Sequence, residues 1–279
     1  MDLEDYRRAS HEIWDAMAPG WETWRARIDE SAAPVREWMI GALAPQRGET
    51  VLELSAGVGD TGFAAATIVG ETGRLISTDF SADMVEKARR RGTELGLGNV
   101  DYRMIDAERI DLDTDSVDGV LCRFGYMLMA DPAAALSETR RVLRPGGRLA
   151  LAVWGPPERN PWAGIAGGIL IERGHMPPPE PEAPGVFSMA SEERVRALLE
   201  AAGFTDARLE EVPVRFAFSD FDEYERFATE TAGPFAMVLR GLSDSEREAL
   251  RTTLEPALAP FVVDRRYELP GVALGAVAS

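Results

Sequence analysis

VLELSAGVGDTGFAAA, residues 51–66, joins an apolar run to a Gly-rich turn and then to small residues suited to a helix. Gly57, Gly59 and Gly62 fall in the G-x-G-x-x-G spacing, and Asp79 closes GRLISTDFS about twenty residues later. Taken literally, this is a dinucleotide fingerprint. Glycines after a strand let the backbone approach a ligand closely, and the N-terminus of the following helix favours negative charge. Several nucleoside cofactors use the same strand–loop–helix geometry, so the loop alone leaves the nucleoside open. Asp79 at the end of its strand has the chemistry to accept hydrogen bonds from two ribose hydroxyls.

Outward from this loop the chain alternates short apolar strands with helices. Strands are expected at 50–54, 74–79, 100–106, 117–124 and 146–154, and helices at 61–70, 81–96 and 131–143. Ser81 and Asp131 read as N-caps, Pro132 as a first helical residue and Gly96 as a helix stop. This alternation implies an α/β, doubly wound parallel sheet covered on both faces, with ligands beyond the carboxyl ends of its strands. Residues 3–28 read as one or two amphipathic helices broken near Ala18–Gly20, with a second helix at 34–43. Residues 155–187, rich in Pro and Gly, read as a loop or lid. A helix at 191–204 and a strand at 207–218 follow, then a mainly helical stretch at 220–260. A final strand at 265–278 contains Pro270, which suggests a bulge or an edge position.

Composition narrows the class. The 279 residues are 45% hydrophobic, enough for a sizeable core, and no apolar run is long enough to span a membrane. The charged, amphipathic N-terminus lacks a signal core, so a cytoplasmic location is expected. A single cysteine, Cys122, excludes an internal disulfide and a cysteine-rich metal site, and no metal is expected. The formal net charge of −17 argues against a nucleic-acid partner. Lys87 is the only lysine, and KARRRG (87–92) reads as a solvated helix face.

Four blocks in register carry a resemblance: VLELSAGVGDTG, STDFSADMVEKAR, MIDAERIDLDTDSVDGVLCRF and LRPGGRLALAVW, together about residues 50–154. In order and spacing they resemble the class I S-adenosylmethionine (SAM) dependent methyltransferases. The style is closest to the small-molecule group that includes the ubiquinone/menaquinone-biosynthesis enzymes. The resemblance implies a Rossmann-like, seven-stranded, mostly parallel sheet with an antiparallel last strand, N-terminal helices and helical lid insertions. It divides the chain into an N-terminal lid (1–45), a SAM-binding core (46–154), a Pro-rich insertion (155–190) and a completion of the sheet (191–279). The last part carries a substrate-binding insertion at about 220–262.

The same resemblance implies roles. Glu53 and the backbone of Ser55, Ala56, Gly57 and Gly59 would hold the methionine portion, and Asp79 the ribose. Phe80 and Met84 would flank the adenine, Asp106 and Ala107 would read its edge, and Arg123 and Phe124 would line the sulfonium end. Ser55 departs from the pattern, which most often has Gly there. For a catalytic base the candidate is His11, in the N-terminal helix, with His175 weaker; Tyr126, just after the fourth strand, is the candidate for orienting a substrate. The function implied is methyl transfer to a small-molecule acceptor, quinone-like or a natural product, with O- or C-methylation favoured. Its cofactor is SAM, and a homodimer is the default assembly. A non-catalytic SAM-binding protein is the alternative. An NAD(P) oxidoreductase is remote, because Lys87 has Asp83, not Tyr, four residues before it.

Overall fold

The computed structural model describes residues 2–180 and 183–279. Its centre is a sheet built from the apolar runs around the opening loop. β1 (Thr50–Leu54), β2 (Arg74–Asp79), β3 (Val100–Met104), β4 (Val117–Arg123) and β5 (Leu143–Trp154) lie parallel, in the order β3-β2-β1-β4-β5. Val51, Leu52, Leu75, Val120, Leu121 and Leu149 are all fully buried. Continuous apolar strands of this kind belong to a sheet covered on both faces. The crossovers are α3 (Asp60–Val69), α4 (Ala82–Glu94) and α5 (Pro132–Val142). Ser81 caps α4 by accepting the Met84 amide at 3.2 Å, and Asp131 caps α5 by accepting that of Ala134 at 3.0 Å, with Pro132 first in the helix.

The sheet is completed from later in the chain. β6 (Arg208–Phe218) forms the far edge, and β8 (Arg266–Ala278) inserts antiparallel between β5 and β6. A two-residue β7 (Val262–Val263) pairs with the start of β8, which makes eight strands where seven were expected. Pro270 therefore lies in an interior strand, not an edge strand. The donor that proline lacks is not missed there, because β5 pairing stops at Ala273 and β8 is bordered at Pro270 only by Arg215 of β6, a locally open edge.

The helices outside the core differ from the sequence reading in three places. α1 (Leu3–Thr23) runs through Ala18–Gly20 unbroken, with Pro19 inside it. Gly20 serves close packing instead: a Cβ there would meet the Glu230 carbonyl oxygen at 2.0 Å. The chain breaks at Trp24, and α2 (Arg25–Leu43) begins well before 34, with Pro34 internal. Part of the expected 155–187 loop is α6 (Pro161–Glu172), masked in sequence by three glycines and an opening proline. α7 (Glu192–Ala201) precedes β6, and the insertion holds α8 (Phe221–Thr231), α9 (Pro234–Gly241) and α10 (Asp244–Leu258), as its periodicity suggested. α1 packs on α4 at the carboxyl ends of the strands and on α8 and α9 of the insertion. No helix among the described residues is long and apolar enough to cross a membrane.

Candidate active site

The carboxyl end of β1 feeds a turn in which Ser55, Gly57 and Gly59 all have left-handed backbones, at φ of 51°, 55° and 88°. Ser55 thus takes the conformation that glycine would adopt without steric cost, at about 1–2 kcal/mol. The turn is fastened to β2: the Ala56 amide donates to the Thr78 carbonyl at 2.9 Å, and the Thr78 hydroxyl donates to that of Glu53 at 2.7 Å.

Asp79 ends β2 and organises the next layer. Oδ2 accepts the Gly57 amide at 2.9 Å and Oδ1 that of Ser81 at 3.0 Å. Each oxygen retains acceptor capacity for another donor. The side chain is buried, and burial pushes its carboxyl up to about 6 against the pull of these amides. Phe80 follows, half-buried, with the His11 ring edge-on at 5.4 Å. Met84 is buried with Val58 and Ala18 beneath Trp14 and Trp21 of α1, so α1 covers it where a ring-covering role was expected. Past β3, Asp106 is exposed and accepts the Glu108 amide at 2.9 Å, while Ala107 is buried beside it.

Glu53 is buried, with both carboxylate oxygens bonded inside the protein. Oε1 accepts the Gly62 amide at 2.6 Å in the first turn of α3, and Oε2 accepts the Ser77 hydroxyl at 3.3 Å. Burial pushes this carboxyl up to about 7, with Asp60 adding and the Gly62 amide and Arg123 opposing. A Cβ on Gly62 would lie 2.1 Å from Oε2. The third glycine of the fingerprint is therefore required by an internal carboxylate that already fills the start of the helix.

Asp60, the first residue of α3, was not singled out from sequence. An acidic residue in a first helical turn reads there as an ordinary partner for the helix dipole. In the fold it is buried among arginines: Arg91 at 2.5 Å, Arg25 and Arg123 each at 3.9 Å. Arg123 ends β4 with its side chain 9% exposed, and burial pulls its pKa down. Asp60 Oδ2, Thr61 Oγ1 and Arg123 Nη1 are buried without a hydrogen-bond partner among the described residues. Unmatched donors and acceptors of both signs, next to a glycine turn, suit a zwitterionic ligand head.

Phe124 adopts φ of 60°, and its ring stacks on Trp154 with centroids 4.0 Å apart. Trp162 and Phe216 extend this aromatic wall from α6 and β6. The two candidate catalytic residues, His11 and Tyr126, are not at this end. His11 Nδ1 pairs with Asp15 at 3.1 Å, and its ring lies against Phe80 after β2, on the far side of β1 from β4. Tyr126 is fully buried, its hydroxyl 2.6 Å from that of Thr139, and burial raises its pKa well above the usual value. It is a core residue, packed between β4 and α5.

The known proteins that this chain resembles point the same way. Residues 33–159 match the model of the ubiE/COQ5 methyltransferase family. The ubiquinone/menaquinone biosynthesis C-methyltransferase UbiE of Pseudoalteromonas translucida is 35% identical over 122 residues, 43% of this chain and 49% of that protein. The UbiE of Escherichia coli O1:K1 / APEC is 32% identical over 127 residues, 45% of this chain and 51% of that protein. The chain spans about half the length of the curated relatives it matches. Among solved structures, a SAM dependent methyltransferase from Aquifex aeolicus is 25% identical with a TM-score of 0.50, over 63% of this chain and 83% of that one. A putative methyltransferase from Bacillus halodurans is 20% identical with a TM-score of 0.59, over 87% and 97%, and shares the fold.

Proposed function

We propose that the chain is a SAM-dependent methyltransferase acting on a small-molecule acceptor, quinone-like or a natural product, by O- or C-methylation. The observation that carries the reading is the Glu53 carboxylate on the Gly62 amide. In a dinucleotide enzyme the start of this helix receives a pyrophosphate. Here a buried side chain takes the donor, and Asp60 adds a second carboxylate. A cofactor without phosphates fits this arrangement.

SAM carries a methyl group on a sulfonium and supplies it to a nucleophile. The residues of this chain bind and orient. Asp79 would accept the ribose hydroxyls, and Asp106 and Ala107 would meet the adenine edge. Asp60 and Arg123 would hold the ammonium and carboxylate of the methionine portion. The Phe124–Trp154–Trp162 wall offers apolar planes for an organic acceptor. With His11 and Tyr126 directed elsewhere, the reading relies on alignment, which in favourable cases lowers a barrier by about 7–11 kcal/mol. It suits an acceptor that is acidic or carbon-activated on its own. The acidic surface supports a metabolite over a nucleic acid, in the cytoplasm.

Calorimetric titration with SAM, S-adenosylhomocysteine (SAH), NAD and NADP tests the reading. Binding of the two sulfur ligands alone is expected, weakened at least about tenfold by Asp79→Ala with the fold retained. Binding of a nicotinamide dinucleotide alone, or unchanged SAM affinity in the variant, would overturn it.

A further inference from the structure

Glu108 lies outside the four matching blocks' assigned roles, yet it joins three segments that surround the cleft. Its side chain is 5% exposed. Its backbone amide is held by Asp106, at the turn assigned to the adenine edge. Oε1 accepts the Ala130 amide at 2.8 Å, in the loop that follows Arg123 and Phe124. Oε2 accepts from Arg7 of α1, through Nε at 3.0 Å and through Nη2. The adjacent residue of α1 adds a second tie: the Tyr6 hydroxyl donates to the Leu128 carbonyl at 3.0 Å. Burial pushes the Tyr6 hydroxyl up to about 12, so it stays a donor. The neighbouring Met127 carbonyl accepts the Gly185 amide at 2.9 Å and the Ser188 hydroxyl at 2.7 Å, from the segment after the Pro-rich stretch.

Both covers of the cleft therefore grip adjacent carbonyls of one loop, and a single buried carboxylate ties that loop to the adenine turn. A buried carboxylate with protein donors on both oxygens is expensive to leave half-satisfied, so its three partners move together or not at all. We propose that Glu108 is a positioning residue that couples cofactor occupancy at Asp106–Ala107 to the placement of residues 124–130, with Arg7 as the clasp of α1. The proposal rests on the cofactor reading above. It adds that the acceptor side is set by the bound adenosine, at a residue that touches neither reactant.

The test is amide hydrogen exchange of the full chain with and without SAH. SAH is expected to slow exchange at residues 128–130 and in α1 by about fivefold or more. In Glu108→Ala the response at 128–130 falls below about twofold, while SAH affinity stays within about threefold of wild type. The double variant Tyr6→Phe, Arg7→Met, which leaves the Glu108–Ala130 bond intact, keeps the response at 128–130 and loses that of residues 4–8 at the start of α1. A wild-type response at 128–130 in Glu108→Ala, or at residues 4–8 of the double variant, overturns the coupling. So does a wild-type protein that binds SAH without any response at 128–130. Failure of the wild type to bind SAH overturns the cofactor reading instead, and the coupling with it.

Discussion

Glu53→Gln removes one charge from the start of α3 while keeping the volume and an acceptor for the Gly62 amide. In the fold, burial holds the Glu53 carboxyl at about 7, against an ordinary value of 4.5. Between those two values the folded chain keeps a proton that the unfolded chain has released. The folded state is thus favoured fully below about 4.5 and loses that advantage as pH rises through 7. At about 1.4 kcal/mol per pH unit, the interval amounts to roughly 3 kcal/mol. Urea unfolding of both proteins at pH 5, 6, 7 and 8 reads it directly. The wild type is expected to lose about 2–3 kcal/mol relative to the variant across that range, on the order of 1 M in midpoint. Asp79, also raised by burial, titrates in both proteins and cancels in the difference. Parallel stability curves would show that Glu53 is ionised throughout, and that the internal capping of α3 has been misjudged.

Gly62→Ala drives a methyl group into that same carboxylate. Overpacking and the lost hydrogen bond, offset by helix propensity, give a destabilisation of about 2–4 kcal/mol, measurable by urea unfolding. Arg123→Met removes the proposed partner of the methionine carboxylate. SAH affinity is expected to fall about tenfold or more, and that of 5′-methylthioadenosine, which lacks the amino-acid head, by less than about twofold in calorimetry. Tyr126→Phe removes the donor to the Thr139 hydroxyl, which keeps its own bond to the Ala135 carbonyl, and costs about 1 kcal/mol in thermal unfolding. It leaves SAH affinity unchanged, whereas a drop in affinity would return Tyr126 to the site.

The parallel half of the sheet was legible because each strand is a short apolar run closed by a turn residue. The caps at Ser81 and Asp131 were equally plain. Gly20 and Pro19 misled because both read locally as breakers, while their use is tertiary: Gly20 admits the Glu230 backbone. α6 was hidden for a related reason, since its glycines lower propensity and packing overrides it. At the site, Asp79 and the glycine turn could be placed by spacing. Asp60 and Glu108 could not, because their partners come from distant segments: Arg91 and Arg123 for one, Arg7 and Ala130 for the other. The orientations of Tyr126, buried on Thr139, and of His11, paired with Asp15, were not legible, because chain position after a strand or in a covering helix does not fix which way a side chain turns.

The antiparallel insertion of β8 between β5 and β6 has a consequence for how the chain acquires its structure. β5 and β6 lie far apart in the order of synthesis from the strand that joins them, and neither can pair across the gap until residues 266–278 have been made. The parallel strands β1–β5 can collapse earlier, leaving an open edge with Leu149, Leu151 and Val153 waiting for a partner. Such an edge templates pairing with other chains. The nascent protein therefore passes through a long interval in which five of its eight strands can be assembled with the β5 edge unprotected. In that interval a chaperone, or slow translation through the helical insertion, would decide its yield.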